Sequence, residues 1–310
     1  MSSFLVTGGA GFIGSHITEA LLKKGHSVRV LDNFSSGKES NLSAVRDKIE
    51  LIRADIRSED SCLKAARGID VILHQAALRS VPKSMLRPAE YNEVNIAGTL
   101  NLLQAARENR VKRFVFASSS SVYGEVDRFP EEESFLPCPI SPYALTKLTG
   151  EYYCGIFSRH YGLSTVSLRY FNVFGPRQSL DDEYAVVIPK FINCMLKEEP
   201  VPVYGNGKQS RDFTYIDNVV EANILAAAKE GAKEGAFNIA SGKDYSVLEL
   251  IEQLNLIINR NIRPSFLEAR PGDVFKTLAD ISKARDTLGF NPGIDFIQGL
   301  KLTVKYFKGE

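Results

Sequence analysis

The chain has 310 residues, 44% hydrophobic and 24% charged, with a formal net charge of +1. That is the make-up of an ordinary soluble globular protein, long enough for a large core and two domains. The near-zero charge argues against a broad nucleic-acid-binding face, and no apolar run reaches the roughly 20 residues of a membrane span. The four cysteines (Cys62, Cys138, Cys154, Cys194) and four histidines (His16, His26, His74, His160) show no ligand spacing. Neither a metal site nor a disulfide framework is expected, and a reducing cytoplasm fits. "FLVTGGAG" begins at the fourth residue, so no cleavable leader is expected.

Phe4 to Thr7 reads as a short strand, and Phe12, Ile13, Ile17, Leu21 and Leu22 then recur at helical spacing before "HSVRVLD", a second strand. Between the first strand and the helix lie Gly8, Gly11 and Gly14, a G-x-x-G-x-x-G pattern in the βαβ setting that a dinucleotide turn requires. Glycines there permit a tight turn and close approach of a pyrophosphate, whose charge sits at the helix N-terminus. Asp32 ends the second strand, where an acid hydrogen-bonds the adenine ribose and repels a 2′-phosphate; this favours NAD over NADP. The competing reading is a glycine turn with a capping or surface aspartate.

Further strands are expected at 49–56 ("IELIRADI"), 71–77 ("VILHQAA"), 113–119 ("RFVFASS") and 163–172 ("LSTVSLRYFN"), with amphipathic helices between them such as "IAGTLNLLQAARENR". Such alternation implies an α/β fold, a parallel sheet with helices on both faces. Its ligands lie beyond the carboxyl ends of the strands, where Asp55, Ala76, Ala77, Ser118, Ser119 and Tyr170 fall. "SPYALTK" opens a helix after a proline and sets Tyr143 four positions before Lys147, on one helical face. A phenol titrates near pH ~10, and a neighbouring cation lowers that value, so the pair can work as a general base. Alone, the spacing reads more readily as a surface helix, with a partly buried tyrosine and a solvated lysine.

The chain resembles the extended short-chain dehydrogenase/reductase family, and within it the UDP-sugar 4-epimerases. The resemblance runs through "TGGAGFIGSH", "DNFSSG", "HQAA", "SSSSVYG", "SPYALTK", "LRYFNVFGPRQ", "SRDFTYIDNVV" and "RPGDVFKTLADISKA", essentially the whole length. It implies a catalytic set of Ser119, Tyr143 and Lys147. Tyr143 as phenolate takes the proton of the sugar 4-hydroxyl, Ser119 hydrogen-bonds the same oxygen, and Lys147 binds the nicotinamide ribose and holds down the tyrosine pKa. Ser119 is chosen among Ser118 to Ser121 because the catalytic hydroxyl lies four residues before the tyrosine of "VYG", with Ser120 and Ser121 as possible helpers. The implied cofactor is tightly bound NAD, held by Gly8, Gly11, Phe12, Ile13, Gly14, Asp32, Asn33, Ser36, Gly37, Asp55, Ile56, Gln75, Ala76, Ala77, Asn95, Ser118, Tyr143, Lys147 and Tyr170. Related 4,6-dehydratases and UDP-glucuronate decarboxylases carry acids where this chain has Ser120 and Ser121, which tips the reading to an epimerase.

On the substrate side, the resemblance points to Arg211 and Arg270 for the two phosphates, Asn172 for the diphosphate and Asp273 for the uridine ribose. Pro202 and Tyr204 of "VPVYG" flank the uracil, and Val187 contributes backbone groups. Arg79, Ser80, Ser119, Ser120, Tyr143 and Thr277 surround the sugar. Thr277 leaves room for an N-acetyl group, so UDP-N-acetylglucosamine and UDP-glucose are the expected substrates. Arg79 and Lys83 keep a C6 carboxylate open (UDP-glucuronate or its N-acetylated form), or are solvated charges with no ligand.

The expected architecture is a Rossmann-type doubly wound parallel sheet with a smaller mixed α/β C-terminal substrate domain. The NAD-binding domain covers 1–170 plus about 212–230, and the UDP-sugar-binding domain 171–211 and 231–310. "NVVEANILAAAKE" is the returning helix, "SVLELIEQLNLIINR" an amphipathic helix of the small domain, and "DISKARDTLGF" a capped helix with a glycine stop. A homodimer through helices near 91–109 and 143–159 is implied, with no nucleic-acid or membrane partner. A dehydratase or reductase, or a non-catalytic NAD-binding protein, are the alternatives.

Overall fold

The computed structural model describes residues 1–179, 187–229, 231–232, 234–268 and 274–310. Its first part alternates β1 (Ser3–Thr7), α1 (Phe12–Lys23), β2 (Ser27–Asp32), β3 (Ile49–Arg53), α2 (Glu59–Ala66) and β4 (Val71–His74). Two short helices, α3 (Val81–Leu86) and α4 (Pro88–Tyr91), lead through a π-helical stretch at Asn92–Ala97 into α5 (Gly98–Glu108). Then come β5 (Arg113–Ser119), α6 (Pro142–Tyr161) and β6 (Ser164–Tyr170).

These six strands and a seventh, Ala236–Ile239, pair in parallel in the order Ala236–Ile239, β6, β5, β4, β1, β2, β3. Strands buried on both faces need apolar side chains at consecutive positions. In β5, Phe114 and Phe116 pack with Leu5, Leu31, Ile72 and the helices α2, α5 and α6, while Val115 packs on the opposite face with Val6 and Val30. All of these are at most 1% exposed, and burying each contributes roughly 1.5–3 kcal/mol. The order reverses at β1, between β4 and β2, and that crevice is where such sheets take ligands.

Pairing stops earlier than sequence suggests. β3 ends at Arg53, β4 at His74 and β6 at Tyr170, so Asp55, Ile56, Ala76, Ala77 and Asn172 lie in loops past the carboxyl edge. At Asp55 the cause is local: its carboxylate accepts the N–H of Arg57 two residues on (2.8 Å), a turn that competes with the ladder. The strand Ala236–Ile239 falls inside the range 231–310 given to the smaller part, yet it joins the main sheet. The helix before it, Ile216–Ala228, has returned to that sheet, and the open edge of β6 offers unpaired backbone groups.

The remaining elements lie outside that sheet. Val201–Tyr204 pairs with Pro264–Leu267, Ser210–Asp212 with Asp244–Ser246, and Val173–Phe174 with Thr214–Tyr215. Around them pack helices Val187–Leu196, Val247–Ile258, Ser282–Leu288 and Phe296–Lys308. Phe296 stacks on Phe213 and Tyr245, with ring centroids 5.3 and 4.1 Å apart. Helix 247–258 opens on a Ser246/Glu249 capping box, and helix 282–288 stops at Gly289 with φ 76°. Among the described residues no helix is long and apolar enough to cross a membrane.

Candidate active site

The glycine turn after β1 leaves no room for a side chain at Gly8 or Gly14. Gly8 has φ 67°, and a Cβ there would stand 2.8 Å from the backbone of Ala76; at Gly14 it would stand 2.2 Å from the Gly8 carbonyl oxygen. Gly11 caps α1 without a side chain, and the first turn of α1 holds no acid, so its N–H groups are left for an anion. Asp32 is 7% exposed and accepts the N–H of Ala10 (2.9 Å) and of Phe34 (2.7 Å). Burial pushes its carboxyl up, and those two N–H groups oppose the shift. Asp32 therefore also laces the glycine turn to β2, beyond the ribose role expected of it.

Phe12, Ile13, Asn33, Ser36, Gly37, Asp55, Ile56, Gln75, Ala76, Ala77, Ser118, Tyr143, Lys147 and Tyr170 line one cleft with Gly8, Gly11, Gly14 and Asp32. Asp55 is held down to about 2 by Arg57, whose guanidinium chelates it (3.0 and 2.8 Å), and Asn33 donates to it as well (2.8 Å). Tyr170 is buried, its hydroxyl tied to Asn223 (2.8 Å) and Gln75 (3.2 Å), and burial pushes its pKa up, so it stays neutral.

Asn95, expected among the NAD-binding residues, is not among those that line the cleft; its amide holds the Leu78 backbone (2.8 and 2.9 Å) and Thr146 on α6 (3.0 Å). Arg57 and Arg177 line the cleft and were not singled out from sequence. Arg177 donates to Ser15 (3.2 Å) and Glu19 (2.5 Å) of α1, while His16 meets the Pro176 carbonyl at 3.1 Å. Its place in "FGPRQ" was visible, but its partners lie about 160 residues away.

α6 carries the reactive face. Ser141 caps it by accepting the Ala144 N–H (3.1 Å), and Pro142 fills its first position. Gly150 brings α6 close, since a Cβ there would stand 2.3 Å from the Phe116 ring. Lys147 donates to the Ala117 carbonyl (2.8 Å) and lies 5.9 Å from the Tyr143 ring centroid. Burial lowers its pKa to about 7. Burial also raises that of Tyr143, opposed by the Ser119 hydroxyl and the Arg79 charge. Expectation gave the lowering of the tyrosine pKa to Lys147; here Ser119 and Arg79 exert it.

Ser119 is not among the residues that line the cleft; it accepts both the N–H (3.2 Å) and the hydroxyl (2.9 Å) of Ser121, and its own hydroxyl hydrogen-bonds the Tyr143 phenol. Ser118 instead donates to Glu151. A phenol, a hydroxyl hydrogen-bonded to it and a buried ammonium thus converge beside a cradle for a dinucleotide. Such a group can pass a proton to and from a substrate hydroxyl.

The substrate-side residues are more dispersed. Arg79 is exposed and lines the cleft; the Ser80 hydroxyl is used capping α3, accepting the Lys83 N–H (3.3 Å). Asn172 has φ 33°, and its amide nitrogen donates to the Asp212 carbonyl (3.2 Å) and to Thr277 (2.9 Å). A side-chain contact with a diphosphate requires that amide to leave both partners. Thr277 is 8% exposed, its hydroxyl taken by Asn172 and the Asp212 N–H, so it lies beneath Asn172 rather than in open space. Arg211 donates to the carbonyls of Ser210 (2.8 Å) and Phe275 (3.2 Å). Val187 opens its helix, and Pro202 and Tyr204 sit half-buried on their strand. Arg270 and Asp273 lie outside the described residues.

Comparison with known proteins adds a family. Residues 4–240 match the NAD dependent epimerase/dehydratase family. The chain is 39% identical to a putative UDP-glucose 4-epimerase of Methanocaldococcus jannaschii, with 98% of each covered. It superposes with TM-score 0.95 and 42% identity on a UDP-N-acetylglucosamine 4-epimerase from Methanobrevibacter ruminantium in complex with UDP-N-acetylmuramic acid, covering 99% and 98% of the two chains. With TM-score 0.91, 35% identity and 99% of each chain, it also matches the UDP-glucuronic acid 4-epimerase from Bacillus cereus in complex with UDP-glucuronic acid and NAD.

Proposed function

The chain belongs to the NAD dependent epimerase/dehydratase family, and on that premise we propose that it is an NAD-dependent UDP-sugar 4-epimerase acting on UDP-N-acetylglucosamine, UDP-glucose or both. The observation that carries the activity is the meeting of Tyr143 and Lys147 in the cleft that opens from the glycine cradle, with the Ser119 hydroxyl against the Tyr143 phenol.

The cradle fits a dinucleotide: two positions exclude any Cβ, and an uncapped helix end faces the space where a diphosphate belongs. Bound NAD supplies the acceptor and donor of hydride at the sugar C4. Tyr143 takes the proton of the 4-hydroxyl and returns it after the sugar has presented its other face. Ser119 donates to the same oxygen and steadies the charge that develops on it. Lys147 places a cation beside the phenol ring and, anchored on Ala117, is positioned for a ribose hydroxyl. Ser120 and Ser121 hold no carboxyl for the water loss or decarboxylation that related enzymes perform.

A second reading, a UDP-glucuronate or UDP-N-acetylglucosaminuronate 4-epimerase, is favoured by one observation: Arg79 lies close enough to Tyr143 for its charge to act on the phenol. A homodimer is supported by the outward face of α6, where Leu145, Tyr152 and Ile156 are 52%, 59% and 40% exposed at helical spacing. We also take the NAD-binding part as 1–170 plus about 212–230, with Ala236–Ile239 added.

Incubation with UDP-glucose, UDP-N-acetylglucosamine, UDP-glucuronate and UDP-N-acetylglucosaminuronate, followed by proton NMR without reductant, tests the proposal. C4 inversion is expected, with the highest kcat/KM on one of the first two. Only 4-keto-6-deoxy or pentose products would refute it.

A further inference from the structure

α6 presents Tyr143, Lys147 and Glu151 one turn apart on a single face. At the end of β5 three consecutive residues each receive one of them. Lys147 donates to the Ala117 carbonyl (2.8 Å), Ser118 donates its hydroxyl to Glu151, and the Ser119 hydroxyl meets the Tyr143 phenol. Ser118 shares the face of β5 that carries Phe116, the face that α6 covers through Gly150.

Glu151 is itself fixed. Arg169, the register neighbour of Ser118 on β6, donates Nε and Nη2 to its two carboxylate oxygens at 2.9 and 2.7 Å. The two side chains are 5% and 9% exposed. The Arg169 guanidinium lies 4.8 Å over the ring of Tyr123, whose hydroxyl donates to Asn238 (2.7 Å). Removing two charges from water so completely is costly, and well-packed apolar residues would hold helix to sheet at least as firmly. The ion pair adds direction: a carboxylate oxygen held at one point, accepting from Ser118.

We propose that Glu151 is a positioning residue for the acid–base groups, holding Ser118 so that the end of β5 keeps Ser119 in reach of Tyr143. The proposal rests on the epimerase reading. Glu151 touches neither sugar nor cofactor; it acts through Ser118. Its loss is expected to lower kcat while the KM for the UDP-sugar and the NAD content stay as they are.

The test compares two double variants that both remove the buried charges, Glu151→Gln/Arg169→Met and Glu151→Leu/Arg169→Met. They differ only in whether residue 151 can accept from Ser118. The glutamine form is expected to turn over near the wild-type rate. The leucine form is expected to lose at least about tenfold in kcat, the scale on which small misplacements act, with KM and bound NAD unchanged. A leucine form as fast as the glutamine form, equal losses in both, or a loss carried by KM or NAD content would overturn the proposal. Should the leucine form not fold, Ser118→Ala deletes the same hydrogen bond and leaves the ion pair, and an unchanged kcat there overturns it too. A wild type that inverts none of the UDP-sugars removes the activity itself, whereas an active wild type with an indifferent leucine form removes only the role of Glu151.

Discussion

Lys147 donates to the Ala117 carbonyl at 2.8 Å from a position one helical turn after Tyr143, so the ammonium sits buried between α6 and the end of β5. That burial gives it two opposed effects, one on stability and one on chemistry. Burial lowers the folded-state pKa to about 7, against about 10.4 for a free lysine. Between those values the unfolded chain binds the extra proton, so stability rises with pH across the window from about 7 to about 10.4, and the penalty is complete below it. Lys147→Met is expected to raise the melting temperature of the NAD-free protein at pH 6 and to narrow its gain between pH 7 and 10, while abolishing turnover. Calorimetry on NAD-stripped protein checks the first; a variant less stable than wild type at pH 6 contradicts the account.

For Tyr143 the sign runs the other way. Burial holds the phenol neutral, and a base must be ionised, so kcat/KM is expected to rise with pH toward the tyrosine pKa. Tyr143→Phe should retain bound NAD and fold normally while losing about 10²–10⁴-fold in kcat, the range of a lost general base. Stopped-assay rates at several pH values decide it; a phenylalanine variant with wild-type turnover would refute the role.

The glycine cradle was legible because its cause is local and steric. Gly8, Gly11 and Gly14 sit between a β-type run and a helical period, and only glycine survives a 2.2 Å approach to the backbone. Strand order, the edge place of Ala236–Ile239 and the tie from Asn95 to Thr146 were not legible, because each depends on a partner far along the chain. Glu151 follows Lys147 at visible helical spacing, yet its meaning comes only with Arg169 on another element. Thr277 reads as a small pocket residue until Asn172 and Asp212 are seen to claim its hydroxyl.

A methyl group at position 14 gives a direct test of the cradle. Gly14→Ala would set a carbon 2.2 Å from the Gly8 carbonyl, so the turn must open and bound NAD should fall to a small fraction of the wild-type content. Gly25→Ala is the control: it meets nothing within 4 Å but has φ 79°, a strain of about 1–2 kcal/mol without effect on NAD. Extraction of the cofactor and its absorbance compare the two.

Arg177 joins the loop after Phe174 to α1 through Ser15 and Glu19, with both charged side chains only about a fifth exposed (20% and 17%). Arg177→Met removes that tie and should cost about 1 kcal/mol of stability, the upper end for a pair near the surface. The larger expected effect is faster loss of NAD during gel filtration, since α1 presents the cradle. Retention equal to wild type would mean that the loop and α1 hold their places without it.

Arg79 separates the two sugar readings. Its side chain is exposed, and its charge favours ionised Tyr143. If that is its whole role, Arg79→Ala moves the rise of kcat/KM with pH to higher pH for every UDP-sugar alike, and added salt moves the wild type in the same direction, because exposed charges are screened over about 10 Å at 0.1 M. If it instead meets a C6 carboxylate, the variant loses kcat/KM selectively on UDP-glucuronate and UDP-N-acetylglucosaminuronate and leaves UDP-glucose untouched. The uniform shift is the expected outcome, because a charge acting on the phenol is common to all substrates. Parallel pH profiles on one neutral and one uronic sugar decide the matter, and a selective loss would transfer the chain to the uronate epimerases.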